Sequence, residues 1–431
     1  MLKTIVRSVK YFLVFLMAAM LTAGCTTTKK ASNQNLSFLY RRDASIIHPK
    51  FFVYHTSDSS SQLYFEINSA ELLYAKQKFD ATDFSASITI NYRLTSSFES
   101  GEIIDSATIT IYDKKITDGN RSIIGSMAIK AKTPNTYLLQ VNITDVNRDQ
   151  TARSYINIDK NNTHSAQNFI VRTTVTQEPV FKNYFDANEE VLISTRNKDL
   201  RKLYIRFYKR NFPVAAPPFS VTVSKTFEYK ADSSFTIAMN DTGTALFKIF
   251  KNGFYHIQTD TATNEGITLF SHYKNFPEIT NVDMLVEPLC YITTREEFDE
   301  MLIAKNKKQA MDNFWSKTAG SQERAKELIR KFYNRIKDAN LYFTSYLEGW
   351  KTDRGMIYLI YGPPNVIYKS TTSESWVYGE ENNFMSLTYT FFKVKNPFTN
   401  NDYALDRSTV YKNTWYKAVD IWRQGRVYLD N

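Results

Sequence analysis

Three carboxylates and three large aromatic side chains near residue 350 form the one pattern in this sequence that could support catalysis. Glu348, Asp353 and Glu374 fall close to Trp350, Tyr361 and Trp376. Two carboxylates on facing elements can share acid and base work across a glycosidic bond, and aromatic faces stack on sugar rings, so a glycan-binding or glycan-cleaving site would leave this trace. A second reading needs no substrate. Asp353 can accept backbone N–H groups within its own turn or pair with Arg354, while Trp350 anchors that turn in a core. The second reading is preferred, because no other residues assist the first.

Other chemistries have less support. His48, His55, His164, His256 and His272 are scattered, with no partner at ligand spacing, so no metal or other cofactor is expected. Gly362-Pro363-Pro364 lacks the N–H groups that a phosphate-cradling loop supplies. Neither Gly-x-Ser-x-Gly nor a Cys/His pair occurs in a usable context. Cys290 lies in the apolar run Leu289-Cys290-Tyr291-Ile292, which predicts a small buried hydrophobe rather than a nucleophile. The sequence does not predict an enzyme.

The elements that must position residue 350 are legible on both sides of it. Thr293 and Thr294 followed by Glu296 and Glu297 give overlapping capping boxes for a helix over 295–304. Met311, Phe314 and Trp315 then recur at helical spacing. Ser321 starts the longest helix, in which Ala325, Leu328, Ile329, Phe332, Ile336, Ala339 and Phe343 recur every three or four residues. A turn of Gly349, Thr352, Asp353 and Gly355 interrupts the pattern. The apolar run Met356 to Tyr361 reads as a strand, and Gly362-Pro363-Pro364-Asn365 as a hairpin turn into strands over 366–368, 374–379 and 387–392. Tyr411, Trp415, Val419 and Trp422 share a final helical face, with Gly425 at its stop.

Gly349, Trp350, Thr352 and Asp353, the following Arg354-Gly355, and the continuation Ile357-Tyr358-x-x-Tyr361-Gly362-Pro363-Pro364 resemble the GWxTD domain. Phe314-Trp315, Tyr333-x-Arg335-Ile336-x-x-Ala339-Asn340 and Phe343 resemble that family's lead-in, so the resemblance covers about Phe314 to Lys393, under a fifth of the chain. It implies a protein of the envelope of Bacteroidetes or related Gram-negative bacteria, and implies no established catalytic activity.

The N-terminus fits that address. Lys3, Arg7 and Lys10 precede the apolar run Tyr11 to Leu21, and Thr22-Ala23-Gly24 place small residues before Cys25. The run is too short for a permanent membrane span. It resembles a bacterial lipoprotein signal over residues 1–24, with Cys25 lipidated, palmitate included, as the first residue of the mature chain. Residues 25–36 are polar, small and basic, as a flexible tether would be. No Asp follows the cysteine and no acidic cluster comes soon after, which in similar lipoproteins implies the periplasmic face of the outer membrane. Without Cys25, Cys290 is the remaining thiol, so no intramolecular disulfide is expected. Loss of the signal's three basic residues, with no acid among them, takes the formal charge from +10 to +7. The basic residues are spread rather than clustered, which argues against a nucleic-acid partner.

At 431 residues the chain exceeds one core, and its 15% aromatic content favours sheet. Alternating stretches predict a multi-domain, β-rich fold: two antiparallel β-sandwich modules of immunoglobulin-like order over 37–160 and 181–280, followed by a C-terminal α+β domain. A polar linker over 161–180 joins the modules, and residues 281–431 form the helical lead-in and the GWxTD domain. Ser220 to Val223 reads as a strand of the second module, after a loop marked by Pro213, Pro217 and Pro218. The expected protein is lipid-anchored in the outer membrane, its sandwiches acting as spacers for a domain that binds an envelope protein or a glycan.

Overall fold

The computed structural model describes residues 32, 34–76, 83–116, 119–221, 228–381, 383 and 385–428. The signal segment and Cys25 lie outside them.

The first module contains β1 (Lys50–His55), β2 (Ser60–Asn68), β3 (Ala75–Lys76), β4 (Phe84–Thr95), β5 (Asp105–Lys114), β6 (Ser122–Lys130), β7 (Thr136–Asp145) and β8 (Gln150–Asp159). One sheet runs β1-β2-β6; the other is centred on β4, which pairs with β5 and β7, with β8 beyond β7 and β3 also on β4. All pairings are antiparallel. Leu63, Phe65 and Ile67 from the first sheet and Ile88, Ile90, Leu139, Val141 and Ile143 from the second share one buried cluster. Their period of two is what a sheet with one buried face requires.

The second module contains β9 (Phe169–Thr173), β10 (Glu190–Thr195), β11 (Lys202–Tyr208), β12 (Ser233–Ala238), β13 (Thr244–Lys248), β14 (Gly253–Gln258) and β15 (Ile267–Ser271). Its sheets are β13-β10-β9 and β12-β11-β14-β15. Two expectations are corrected here. Residues 161–180 are not simply a linker, because β9 pairs along β10 from Phe169 to Thr173. Ser220 and Val221 are not in a strand, and the rest of that expected strand lies outside the described residues.

The third part carries α1 (Val282–Val286), α2 (Arg295–Ile303), α3 (Lys307–Ala319), α4 (Gln322–Phe343), α5 (Asp353–Tyr361) and α6 (Lys412–Arg423), with β16 (Val366–Lys369), β17 (Ser373–Tyr378), β18 (Leu387–Lys393) and β19 (Tyr403–Leu405) in one antiparallel sheet of that order. Of the two overlapping boxes, Thr294 with Glu297 caps α2, both reciprocal bonds being present. Ser321 caps α4, its hydroxyl accepting from the Arg324 N–H at 3.3 Å. Ser321→Ala should therefore destabilise by about 1 kcal/mol, read as a shift in urea midpoint, whereas the neighbouring exposed Gln322→Ala should be nearly silent. Buried Ala325, Leu328, Phe332, Ile336, Ala339 and Phe343 form the core stripe of α4, with Trp315 and Trp422 packed on Phe332 at 5.4 and 5.5 Å between ring centres.

Met356 to Tyr361 is not a strand. It is the body of α5, whose N-cap Thr352 accepts from the Gly355 N–H at 3.1 Å. Every residue from Arg354 to Tyr361 is buried, so no polar stripe betrays the helical period. Gly362 to Asn365 accordingly joins a helix to β16 rather than two strands of a hairpin, with Gly362 at φ +80° turning the chain away from the helix.

The segment expected as the tether's end and the start of the first module belongs instead to the C-terminal core. The Ser32 N–H donates to the Lys369 carbonyl at 2.7 Å and the Leu36 N–H to that of Ile367 at 2.9 Å, along β16. Leu36 and Tyr40 are buried in the same cluster as Trp350 and Trp376. An unpaired sheet edge is a liability, and this strap covers one.

Candidate functional site: the corner at Trp350

Two helices and a sheet meet where the sequence placed its candidate residues. Gly349 and Gly355 are there because nothing larger fits. A Cβ on Gly349 would lie 1.8 Å from the Ala339 carbonyl oxygen of α4, and one on Gly355 would lie 1.8 Å from the Gly349 oxygen. This close approach seats Trp350 in the core at 2% exposure. Its backbone N–H donates to Asn340 Oδ1 at 3.3 Å, and the Asn340 amide donates in turn to Tyr273 Oη and the Pro277 carbonyl. The Thr352 hydroxyl also donates back to the Gly349 carbonyl at 2.7 Å.

Each carboxylate meets its own cation. Glu348 pairs with Lys351 at 3.1 Å. Asp353 accepts from the Leu405 N–H at 2.8 Å and pairs with Arg407, so the expected pairing with Arg354 or within its own turn is replaced by bonds to a distant segment. Burial pushes the Asp353 carboxyl above its ordinary range even with Arg407 beside it.

Arg354 reaches Glu374 instead, at 3.1 Å, and both are essentially inaccessible. Glu374 also takes Lys369 Nζ at 2.6 Å, the Tyr40 hydroxyl at 2.9 and 3.0 Å and the Trp376 indole N–H at 3.2 Å. Burial alone would raise the Glu374 carboxyl; Lys369 and Arg354 outweigh it and hold it at about 2. Burial pushes the Tyr40 hydroxyl upward. The Arg354 guanidinium lies 4.0 Å over the Tyr403 ring and donates to the Asn401 carbonyl at 2.9 Å. An ionised carboxylate with four donors on it is a structural counter-ion, with no basicity left for proton transfer near neutral pH.

The remaining signature residues also hold parts together. The Tyr358 hydroxyl donates to the Tyr40 carbonyl of the strap at 3.1 Å. Arg335 donates to the Leu359 and Ile360 carbonyls at 3.1 and 3.0 Å, satisfying the C-terminal end of α5. Tyr361 packs on Tyr378 and Tyr389, and the Tyr378 hydroxyl donates to the Gly362 carbonyl at 2.9 Å. Pro363 lies in the connection from α5 to β16. Trp350, Tyr361 and Trp376, at 2, 0 and 0% exposure, present no face on which a sugar ring could stack.

The corner is also a junction with the second module. The proline-marked loop packs on it: the Ala215 N–H donates to the Lys351 carbonyl at 2.9 Å, and Arg407 donates to the Ala216 and Pro217 carbonyls at 2.6 and 2.9 Å. Phe398, from the loop before β19, packs among Tyr208, Phe254 and Phe270 of the second module. Sequence reasoning missed Tyr40, Lys369, Asn401 and Arg407. None of the four left a local signal, since even Lys369, ending an apolar strand, would ordinarily keep its ammonium in water.

Cys290 is half-buried rather than fully buried as expected, and burial with Glu287 pushes its thiol up to about 12, which leaves it protonated at neutral pH. Among the described residues no group of three His, Cys, Asp or Glu could hold a metal ion. His55 and His256 are buried neutral, at 1 and 0% exposure, and burial lowers both to about 4. As pH falls below about 6.5 the unfolded chain protonates first, so stability should decline between pH 6.5 and 4, by roughly 2 to 3 kcal/mol for a histidine fully buried in this way. Urea midpoints that stay flat from pH 7 to 5 would contradict this.

Fold and corner together define a multi-domain β-rich protein closed by an α+β domain whose signature turn is internal. Residues 253–424 match the model of the GWxTD domain, and the chain carries that domain. The match begins at β14, so it takes in the last two strands of the second module as well as the helical part. No curated protein matches the sequence. Among solved structures, a protein described as a putative beta-galactosidase from Bacteroides fragilis aligns at 10% identity over 33% of this chain and 19% of its own, with a TM-score of 0.19. A calcium-binding mutant of Bacteroides uniformis beta-glucuronidase 2 aligns at 12% identity over 36% and 15%, with a TM-score of 0.18. This chain thus spans less than a fifth of either, and alignments at these scores carry no argument about its activity.

Proposed function

We propose that this protein is a non-catalytic, lipid-anchored outer-membrane protein that serves as an interaction or scaffold subunit of an envelope complex, such as one for secretion or outer-membrane assembly. The observation that carries the reading is that the signature residues are spent on internal joints: Gly349, Gly355 and Trp350 on the helix corner, Asp353 on Arg407, Arg354 on Glu374. A domain built this way offers rigid surfaces rather than a reactive cleft. The glycan alternative rests on the same aromatic and carboxylate residues, but the aromatics are buried and each carboxylate is paired with a cation.

Affinity isolation from detergent-solubilised outer membranes should recover a partner in stoichiometric amount; repeated recovery of the lone monomer would overturn the scaffold reading. The anchor is tested separately. Cys25→Ser should move the protein out of the membrane fraction, and unchanged fractionation would refute lipidation at that residue.

A further inference from the structure

The strap ties the end of the chain nearest the anchor to a sheet more than three hundred positions away in sequence. Besides the two backbone bonds along β16, the Lys369 N–H donates to the Ser32 hydroxyl at 3.1 Å and the Ile367 N–H to Asn35 Oδ1 at 3.1 Å. The Asn35 amide donates to the Asn365 carbonyl at 3.0 Å and Arg41 donates to the Pro364 carbonyl at 3.2 Å. Tyr40 then closes on the buried Glu374, under the Tyr358 hydroxyl. Leu36, at 1% exposure, supplies the apolar contact. A segment with this many bonds, an inserted side chain and a charge-assisted terminus is part of the domain's fold, not a tether resting on it.

Cys25 and Ser32 are seven peptide steps apart, which even fully extended cannot exceed about 25 Å. We infer that the α+β domain, not the first sandwich, is the part held against the bilayer. The β16 edge and the hairpin at Thr371 lie within that reach of the lipid headgroups, and the first sandwich packs on the domain through Phe98 and Tyr155. This rests on the lipid-anchor reading and reverses the expected arrangement, in which the sandwiches space the domain away from the membrane. It also narrows the partner: a protein that engages the GWxTD domain must do so at the membrane surface, as an integral outer-membrane protein would.

The geometry is testable with a chemically supplied anchor. The chain from Cys25 onward, carrying Cys290→Ser, is coupled through Cys25 to a maleimide lipid in phosphatidylethanolamine/phosphatidylglycerol vesicles. A fluorophore on a non-natural side chain is placed either at exposed Thr371 or at Tyr112, which is 70% exposed on the first sandwich, and energy transfer to a headgroup acceptor is measured. Transfer from position 371 should exceed that from 112. It should fall roughly two-fold or more when twenty Gly/Ser residues are inserted after Thr28, which lengthens the tether without touching the strap. Stronger transfer from 112 than from 371, or no response to the insertion, would overturn the inference. Because the lipid is attached by chemistry, failure here is failure of the strap geometry, whereas unchanged fractionation of Cys25→Ser is failure of the anchor reading.

Discussion

Glu374→Gln should destabilise the protein by about 3 to 5 kcal/mol, a large fraction of the total stability of an ordinary domain. The substitution keeps volume but turns one accepting oxygen into an NH2 donor that faces other donors, and it removes the negative charge on which both Arg354 and Lys369 converge. Arg354 retains Asn401 and the Tyr403 face, yet none of these neutralises it. A buried cation without a counter-charge must pull in water, move or lose its proton, and each route opens the strap, since Tyr40 bonds the same carboxylate. Glu66→Gln provides the contrast. Glu66 pairs with Lys50 at 2.9 Å, but the lysine side chain is 59% exposed, so the loss should stay within about 1 kcal/mol. Denaturant titration of both variants decides the matter; equal, small shifts would mean that the buried cluster is not what closes the strap.

Gly349→Ala should be comparably damaging, at about 3 kcal/mol or more, through an unrelated cause. Its Cβ would sit 1.8 Å from the Ala339 oxygen, 2.5 Å from the Ala339 carbonyl carbon and 2.7 Å from Asn340 Cα, all backbone atoms of a packed helix that cannot rotate aside. Relief requires α4 to back away from the turn, which breaks the Asn340 to Trp350 bond and opens space around an indole whose outright removal would cost about 3 to 5 kcal/mol. Gly320→Ala separates crowding from backbone strain. Gly320 has φ +72° with nothing within 4 Å of the place an added methyl would take, so only the left-handed conformation is penalised, at about 1 kcal/mol. If calorimetry finds the two alanine variants equally stable, the tight corner is not a determinant of the fold.

How much of this was legible depended on whether a residue's role was local. Helix starts were readable because capping is a matter of a side chain and an amide three positions on, as at Thr294 and Ser321. Strands with one solvated face were readable because alternation survives in the sequence; β2 is an example, its residues buried at every second position. The run Met356 to Tyr361 was misread for the converse reason. A helix buried on all sides has no polar stripe, and its apolar letters are those of a buried strand. The strand β9 was overlooked because polar residues flank it on both sides, although its own Phe169-Ile170-Val171 is an apolar, β-branched run that is buried where it pairs with β10.

The sequence by itself determined the β-rich modular character, the long helix and its caps, and the tryptophan-centred turn as a unit, because composition, periodicity and capping act over a few residues. Only the tertiary structure decided what that turn is joined to. Asp353 chose Arg407 over its neighbour, Arg354 chose Glu374, and a tyrosine more than three hundred positions earlier entered the same cluster. Buried charges select partners by the free energy of leaving water, which depends on where the whole chain places its cations and carboxylates. No spacing along the sequence encodes that choice.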